Sequence, residues 1–176
     1  MRMFVALELP ERFADDASAL ARRLEAVVEG RFVPREARHL TLAFLGDVPE
    51  ANVLVAADAL EAACAGVPRI PLRAAGLGTF GRKDDATLWL GIARSPELEH
   101  LAARLREELA ARELSFDGKP FKPHVTLARR ARIPRGNLPP LPFPLADQAE
   151  TATLFKSTLR RDGAAYEPLR SVRLVG

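Results

Sequence analysis

Apolar and polar positions alternate twice over nearly the same phrase, HLTLAFLG at residues 39–46 and HVTLARR at residues 124–130. Alternation of period two marks a half-buried strand, because successive side chains point to opposite faces. It predicts that His39, Thr41 and Ala43 share one face, with Leu40, Leu42 and Phe44 behind them. In the second copy His124, Thr126 and Ala128 share a face, with Val125 and Leu127 behind.

The remaining pattern supplies the elements around these strands. Residues 3–9 predict a buried first strand stopped by Pro10, and Phe13, Ala17, Leu20, Leu24, Val27 and Val28 recur at helical spacing until Gly30. Residues 31–35 form an extended entry to the first histidine strand, which ends at Gly46. Asp47 is an N-cap and Pro49 a first-turn residue for a second helix to about Ala65, with Val53, Ala57, Leu60 and Cys64 inward. Residues 69–75 and 87–93 predict a pair of strands. The glycine-rich stretch 76–85 between them predicts a mobile connection that presents Phe80, Arg82 and Lys83. Ser95 and Pro96 open a third helix lined by Leu98, Leu101, Leu105 and Leu109, with His100 on its solvent face. Residues 133–144 are proline-dense and irregular, and residues 151–158 and 165–175 make a closing hairpin about Arg161, Asp162 and Gly163. The fold class is α+β, with two related lobes, each built on one histidine strand.

An imidazole beside a hydroxyl on a rigid strand, present twice, suits acid/base chemistry on a phosphate. A lone His-x-Thr is an ordinary structural feature, but this pair uses two of the three histidines in the chain. Histidine titrates near neutrality, so a pair can hold one neutral base and one protonated acid together. Threonine hydroxyls can donate to nonbridging phosphate oxygens.

Composition narrows the setting. The chain has 176 residues, an apolar fraction of 48% and a net charge of +3, enough for one sizeable core and mildly favourable to an anionic ligand. Positive charge is mostly arginine. Cys64 is the only cysteine, so no internal disulfide can form, and it reads as a small core residue rather than a nucleophile. No signal-peptide pattern and no stretch approaching the roughly 20 apolar residues of a membrane span is present, so the expected setting is cytoplasmic. Two histidines without clustered Cys, Asp or Glu make a poor metal site, and neither metal nor cofactor is expected.

The paired motifs, 85 residues apart, resemble those of the two-histidine phosphoesterases, and most of all the bacterial and archaeal RNA 2',3'-cyclic phosphodiesterases, also called 2'-5' RNA ligase-like proteins. The opening MRMFVAL, HLTLAFLG at 39–46, KPHVTLAR at 122–129 and LFKS at 154–157 carry the resemblance, which spans nearly the whole chain. It implies one bilobal domain over residues 1–176, with two pseudo-symmetric lobes of antiparallel sheet, helices packed outside and the site in a cleft between the sheets. It also implies hydrolysis of a terminal 2',3'-cyclic phosphate on RNA to a 2'-phosphomonoester. His39 would be the proton donor to the leaving 3' oxygen and His124 the proton acceptor from water. The resemblance places an arginine after the second motif, at Arg129, on the phosphate. Simple strand parity favours Arg130 instead, so both are candidates. Thr41 and Thr126 complete the phosphate contacts.

RNA beyond that phosphate needs stacking and backbone charge, and Phe32, Arg35, Phe80, Lys119, Phe121 and Lys122 offer both in predicted loops. Expected partners are RNA with 2',3'-cyclic phosphate ends, tRNA halves among them, or cyclic nucleotides, acted on by a monomer. Two rivals stay open: 2'-5' ligation or cleavage of 2'-5' oligonucleotides on the same fold, and a noncatalytic RNA-end binding module.

Overall fold

β1 (Arg2–Glu8) is buried continuously from Met3 to Leu7, which puts it inside a sheet with both faces covered. A computed structural model describes residues 1–175. After β1 come α1 (Glu11–Glu25), β2 (Glu29–Phe32), β3 (His39–Asp47), α2 (Val53–Cys64), β4 (Ile70–Leu72), β5 (Ala74–Arg82) and β6 (Asp85–Ile92). The chain closes with α3 (Pro96–Ala111), β7 (His124–Arg132), β8 (Asp147–Ala149), β9 (Thr151–Arg160) and β10 (Gly163–Arg173). The large sheet runs β10-β9-β1-β3-β7-β6-β5, with β2 also paired to β7, and its pairings are antiparallel. β4 and β8 form a separate two-stranded sheet.

The two faces of the large sheet differ. Met3, Val5 and Leu7 of β1 join Leu40, Leu42, Leu88, Leu90, Val125 and Leu127 in the main core, where the buried stripes of all three helices also lie. Each such leucine contributes about 1.5–3 kcal/mol on burial. Ser95 caps α3 by accepting a hydrogen bond from the Leu98 amide at 3.2 Å, and Pro96 opens its first turn. Cys64 ends α2 in this core, and burial pushes its thiol up to about 11, as suits a packing residue. The opposite side of β1 carries a second cluster, Phe4, Ala6 and Phe155 with Tyr166 packed on it.

Three sequence expectations are corrected. The glycine-rich segment 76–85 is a strand and its turn, since Leu77, Gly78, Thr79, Phe80 and Gly81 pair with Leu90, Trp89, Leu88, Thr87 and Ala86. Its glycines answer a packing demand. A Cβ at Gly78 would lie 2.1 Å from the Trp89 ring, so the indole covers bare backbone there. The strand expected over 69–75 is split in two: Ile70–Leu72 pairs with β8, and the chain enters the large sheet only at Ala74. The first helix stops at Glu25, before Val27 and Val28, and Glu29–Phe32 leaves it as a strand against β7. No helix is long and apolar enough to cross a membrane among the described residues.

Candidate active site

The two histidine strands are neighbours. β3 and β7 pair antiparallel at Leu40 and Val125, so register sets His39 level with Thr126 and Thr41 level with His124. All four side chains line one cleft, about 610 Å³ in volume. The histidines are then diagonal neighbours across the seam, a placement that separates the two residues by roughly 7–8 Å and leaves room for a phosphoryl group between the rings.

Each histidine strand is bulged twice, and the first bulge falls at the same offset from its histidine. Val5 pairs with Ala43 and Ala6 with Thr41, so Leu42 is passed over. Leu88 pairs with Ala128 and Trp89 with Thr126, so Leu127 is passed over. A bulge reverses the alternation beyond it. Ala43 and Ala128 therefore turn into the core, and Phe44 and Arg129 turn into the cleft. The simple parity that grouped Ala43 with His39 and Ala128 with His124 fails here. Arg130 adopts φ +50° and lies outside the cleft lining, whereas Arg129 lines it. Phe44 and Arg129 occupy equivalent places in the two halves, so one half offers a ring where the other offers a cation.

The His124 imidazole is anchored to the chain just ahead of it. His124 Nδ1 donates to the Lys122 carbonyl at 2.6 Å. A carbonyl only accepts, so in the neutral ring Nδ1 carries the hydrogen and Nε2 is left basic. At His39 the Ala37 backbone acts in the same sense and raises the pKa. Aromatic rings enclose both imidazoles: Phe155 at 4.5 Å and Tyr166 at 5.6 Å from the His39 ring, Phe80 at 5.2 Å and Trp89 at 5.7 Å from the His124 ring.

The model of the family described as the 2'-5' RNA ligase superfamily matches residues 9–136, a span that contains both motifs. The chain belongs to this superfamily. It is similar to proteins named RNA 2',3'-cyclic phosphodiesterase from Thermus thermophilus, at 34% identity over all of this chain and 91% of the relative, and from Thermotoga maritima, at 31% over all of this chain and 97% of the relative. Among solved structures it resembles Escherichia coli LigT complexed with 3'-AMP, with a TM-score of 0.82 and 29% identity over 99% of this chain and 98% of that one.

In this member of the 2'-5' RNA ligase superfamily the two halves differ electrostatically. Burial lowers the pKa of both site histidines. Against that, the carboxylate of Glu8, directly opposite His39 on β1, raises the His39 value, whereas Gly91 stands opposite His124, where the hydrogen bond to the Lys122 carbonyl raises the value and the nearby charges of Lys122 and Arg129 lower it. Glu8 is itself held by the buried Thr153, whose hydroxyl donates to its carboxylate at 2.5 Å and contacts the Ser171 hydroxyl at 2.9 Å. The arrangement favours a proton on His39 and a free lone pair on His124.

The other residues picked from sequence scatter. Phe80 sits edge-on to His124, and the Lys122 ammonium lies 4.9 Å over the Trp89 ring and 5.7 Å over Phe80, so these two flank the second histidine. Lys119 is exposed on the approach to β7. Phe32 and Phe121 pack against the core, and Arg35 is paired with Asp15 of α1 at 2.9 Å. None of Phe32, Arg35, Lys119 and Phe121 lines the cleft. Sequence reasoning missed Phe4, Phe44, Tyr166 and Glu8. Glu8 and Phe4 had a usable signal, since alternation along β1 puts both on the face away from Met3, Val5 and Leu7.

Proposed function

We propose that this chain opens the 2',3'-cyclic phosphate at the end of an RNA to a 2'-phosphomonoester, working as one bilobal unit, a cytoplasmic monomer. The observation that carries the reading is the quartet of His39, Thr126, Thr41 and His124 on one face of the β3–β7 seam. The names of the relatives over the full chain support the same substrate.

His124 Nε2 takes a proton from water as its oxygen attacks phosphorus. The bond from phosphorus to the ribose 3' oxygen breaks, and His39 delivers its proton to that oxygen. Exchange with solvent resets both rings. Thr41, Thr126 and Arg129 donate to the nonbridging oxygens, where charge grows in the transition state. The charge asymmetry around Glu8 and Gly91 supports His39 as the acid and His124 as the base.

Incubation with a short RNA ending in a 2',3'-cyclic phosphate, in the presence of chelator, should yield a terminal 2'-phosphate. A 3'-phosphate product would reverse the assignment of the leaving oxygen, and unchanged substrate would sink the hydrolase reading.

Glu8→Gln tests the division of labour. Removing the carboxylate removes an influence that raises the His39 pKa, so the high-pH limb of kcat/KM, where the acid loses its proton, should move to lower pH. The low-pH limb, set by His124, should stay. A profile that shifts as a whole, or not at all, contradicts the assigned roles.

A further inference from the structure

We propose that the cleft accommodates an RNA strand and not the terminal nucleotide alone, with Arg2 holding a backbone phosphate upstream of the cyclic end; this rests on the function proposed above. The geometry of β1 is the starting point. Its odd positions Met3, Val5 and Leu7 enter the core, and its even positions face the cleft side, with Glu8 opposite His39 at one end and Arg2 at the other. Ala6 stands opposite Thr41, level with His124, so four residues of strand put about 13 Å between the near side of the histidine pair and Arg2 at 3.3 Å per residue. That gap exceeds the reach of an arginine side chain, so Arg2 serves a different phosphate from the one between the histidines. Yet both lie on the same cleft.

What lies between suits a base and a sugar. Phe4 makes an edge contact with Tyr166 at 5.0 Å and a tilted contact with Phe44 at 5.9 Å, and Phe44 remains 48% exposed despite its size. At the far end Leu159 is 79% exposed and lines the cleft with Ser157, the β9 residue opposite Arg2. An exposed ring, Phe44, backed by the buried Phe4 and followed by a cation, is the recognition chemistry of single-stranded nucleic acid. Arg2 is available for it: among the described residues it makes no ion pair, not even with Asp47, its register partner on β3.

The two halves also set the direction. Phe44 in the first half stands where Arg129 stands in the second, so the ring wall lies on the His39 side and the cation on the His124 side. The nucleoside that carries the leaving oxygen belongs beside its proton donor, His39. From there the strand continues toward its 5' end along Phe4 and Phe44 to Arg2.

The experiment compares kcat/KM for uridine 2',3'-cyclic phosphate with that for a trinucleotide ending in the same group, in the wild type and in Arg2→Gln. The wild type should favour the trinucleotide by roughly tenfold, with a steeper fall in rising salt because one more phosphate is neutralised. In Arg2→Gln the ratio should drop to about one, and Arg2→Lys should restore part of it. Equal use of both substrates by the wild type, equal salt dependence, or a ratio unchanged in Arg2→Gln would overturn the strand site while leaving the cyclic phosphodiesterase reading intact. Turnover of neither substrate by the wild type would overturn both.

Discussion

His39→Ala and His124→Ala each slow opening of a cyclic phosphate-ended RNA by about 10²–10⁴-fold, the range for removing one positioned acid or base. Affinity for the product nucleotide should change far less, because the threonines and Arg129 that hold the phosphate remain. The two variants should also differ from one another. Without His124 the low-pH limb of kcat/KM disappears, and without His39 the high-pH limb does. Combining the substitutions should cost little more than the worse single one, since acid and base act in one step and their losses are not additive. The measurement is single-turnover hydrolysis across pH. Near wild-type rates in either variant would remove that histidine from the chemistry.

Arg129→Ala should lower the rate by about 10²–10³-fold, the cost of deleting one donor aimed at transition-state charge. Arg130→Ala should stay within a few-fold. The contrast follows from the bulge at Leu127, which brings Arg129 into the cleft while Arg130, at φ +50°, falls outside its lining. Arg129→Lys should recover only part of the loss, because an ammonium cannot make the two parallel bonds of a guanidinium. Arg129→Ala carries a second signature. Its charge is one of those lowering the His124 pKa, so the low-pH limb should move to higher pH. Rate profiles of the three variants on one substrate test this, and equal losses at positions 129 and 130 would contradict the geometry.

Legibility in the sequence followed the reach of local rules. Alternation was enough to bring each histidine and its threonine to one face, because both residues precede the bulges on their strand. It failed just past Leu42 and Leu127, since an extra residue in a ladder is visible only against the partner strand. Phe44 was hidden for that reason, and Arg129 was reachable only through resemblance. The β5 strand was masked by Gly76, Gly78 and Gly81, residues that normally read as loop. Gly78 is there because the Trp89 ring takes the place of a side chain, a tertiary fact with no local signature. The opposition of Glu8 to His39 and of Gly91 to His124 likewise exists only once strands are paired.

The enclosure of the two site histidines by aromatic rings and backbone has a cost outside catalysis. Each has a folded-state pKa below the ordinary value of 6.5, so below that pH the unfolded chain binds protons that the folded chain resists. Stability contributed by keeping these rings neutral is complete above that pH and is lost as acid is added, until the folded rings also protonate. The acid tolerance of the whole protein is therefore tied to the same burial that prepares its reactive groups.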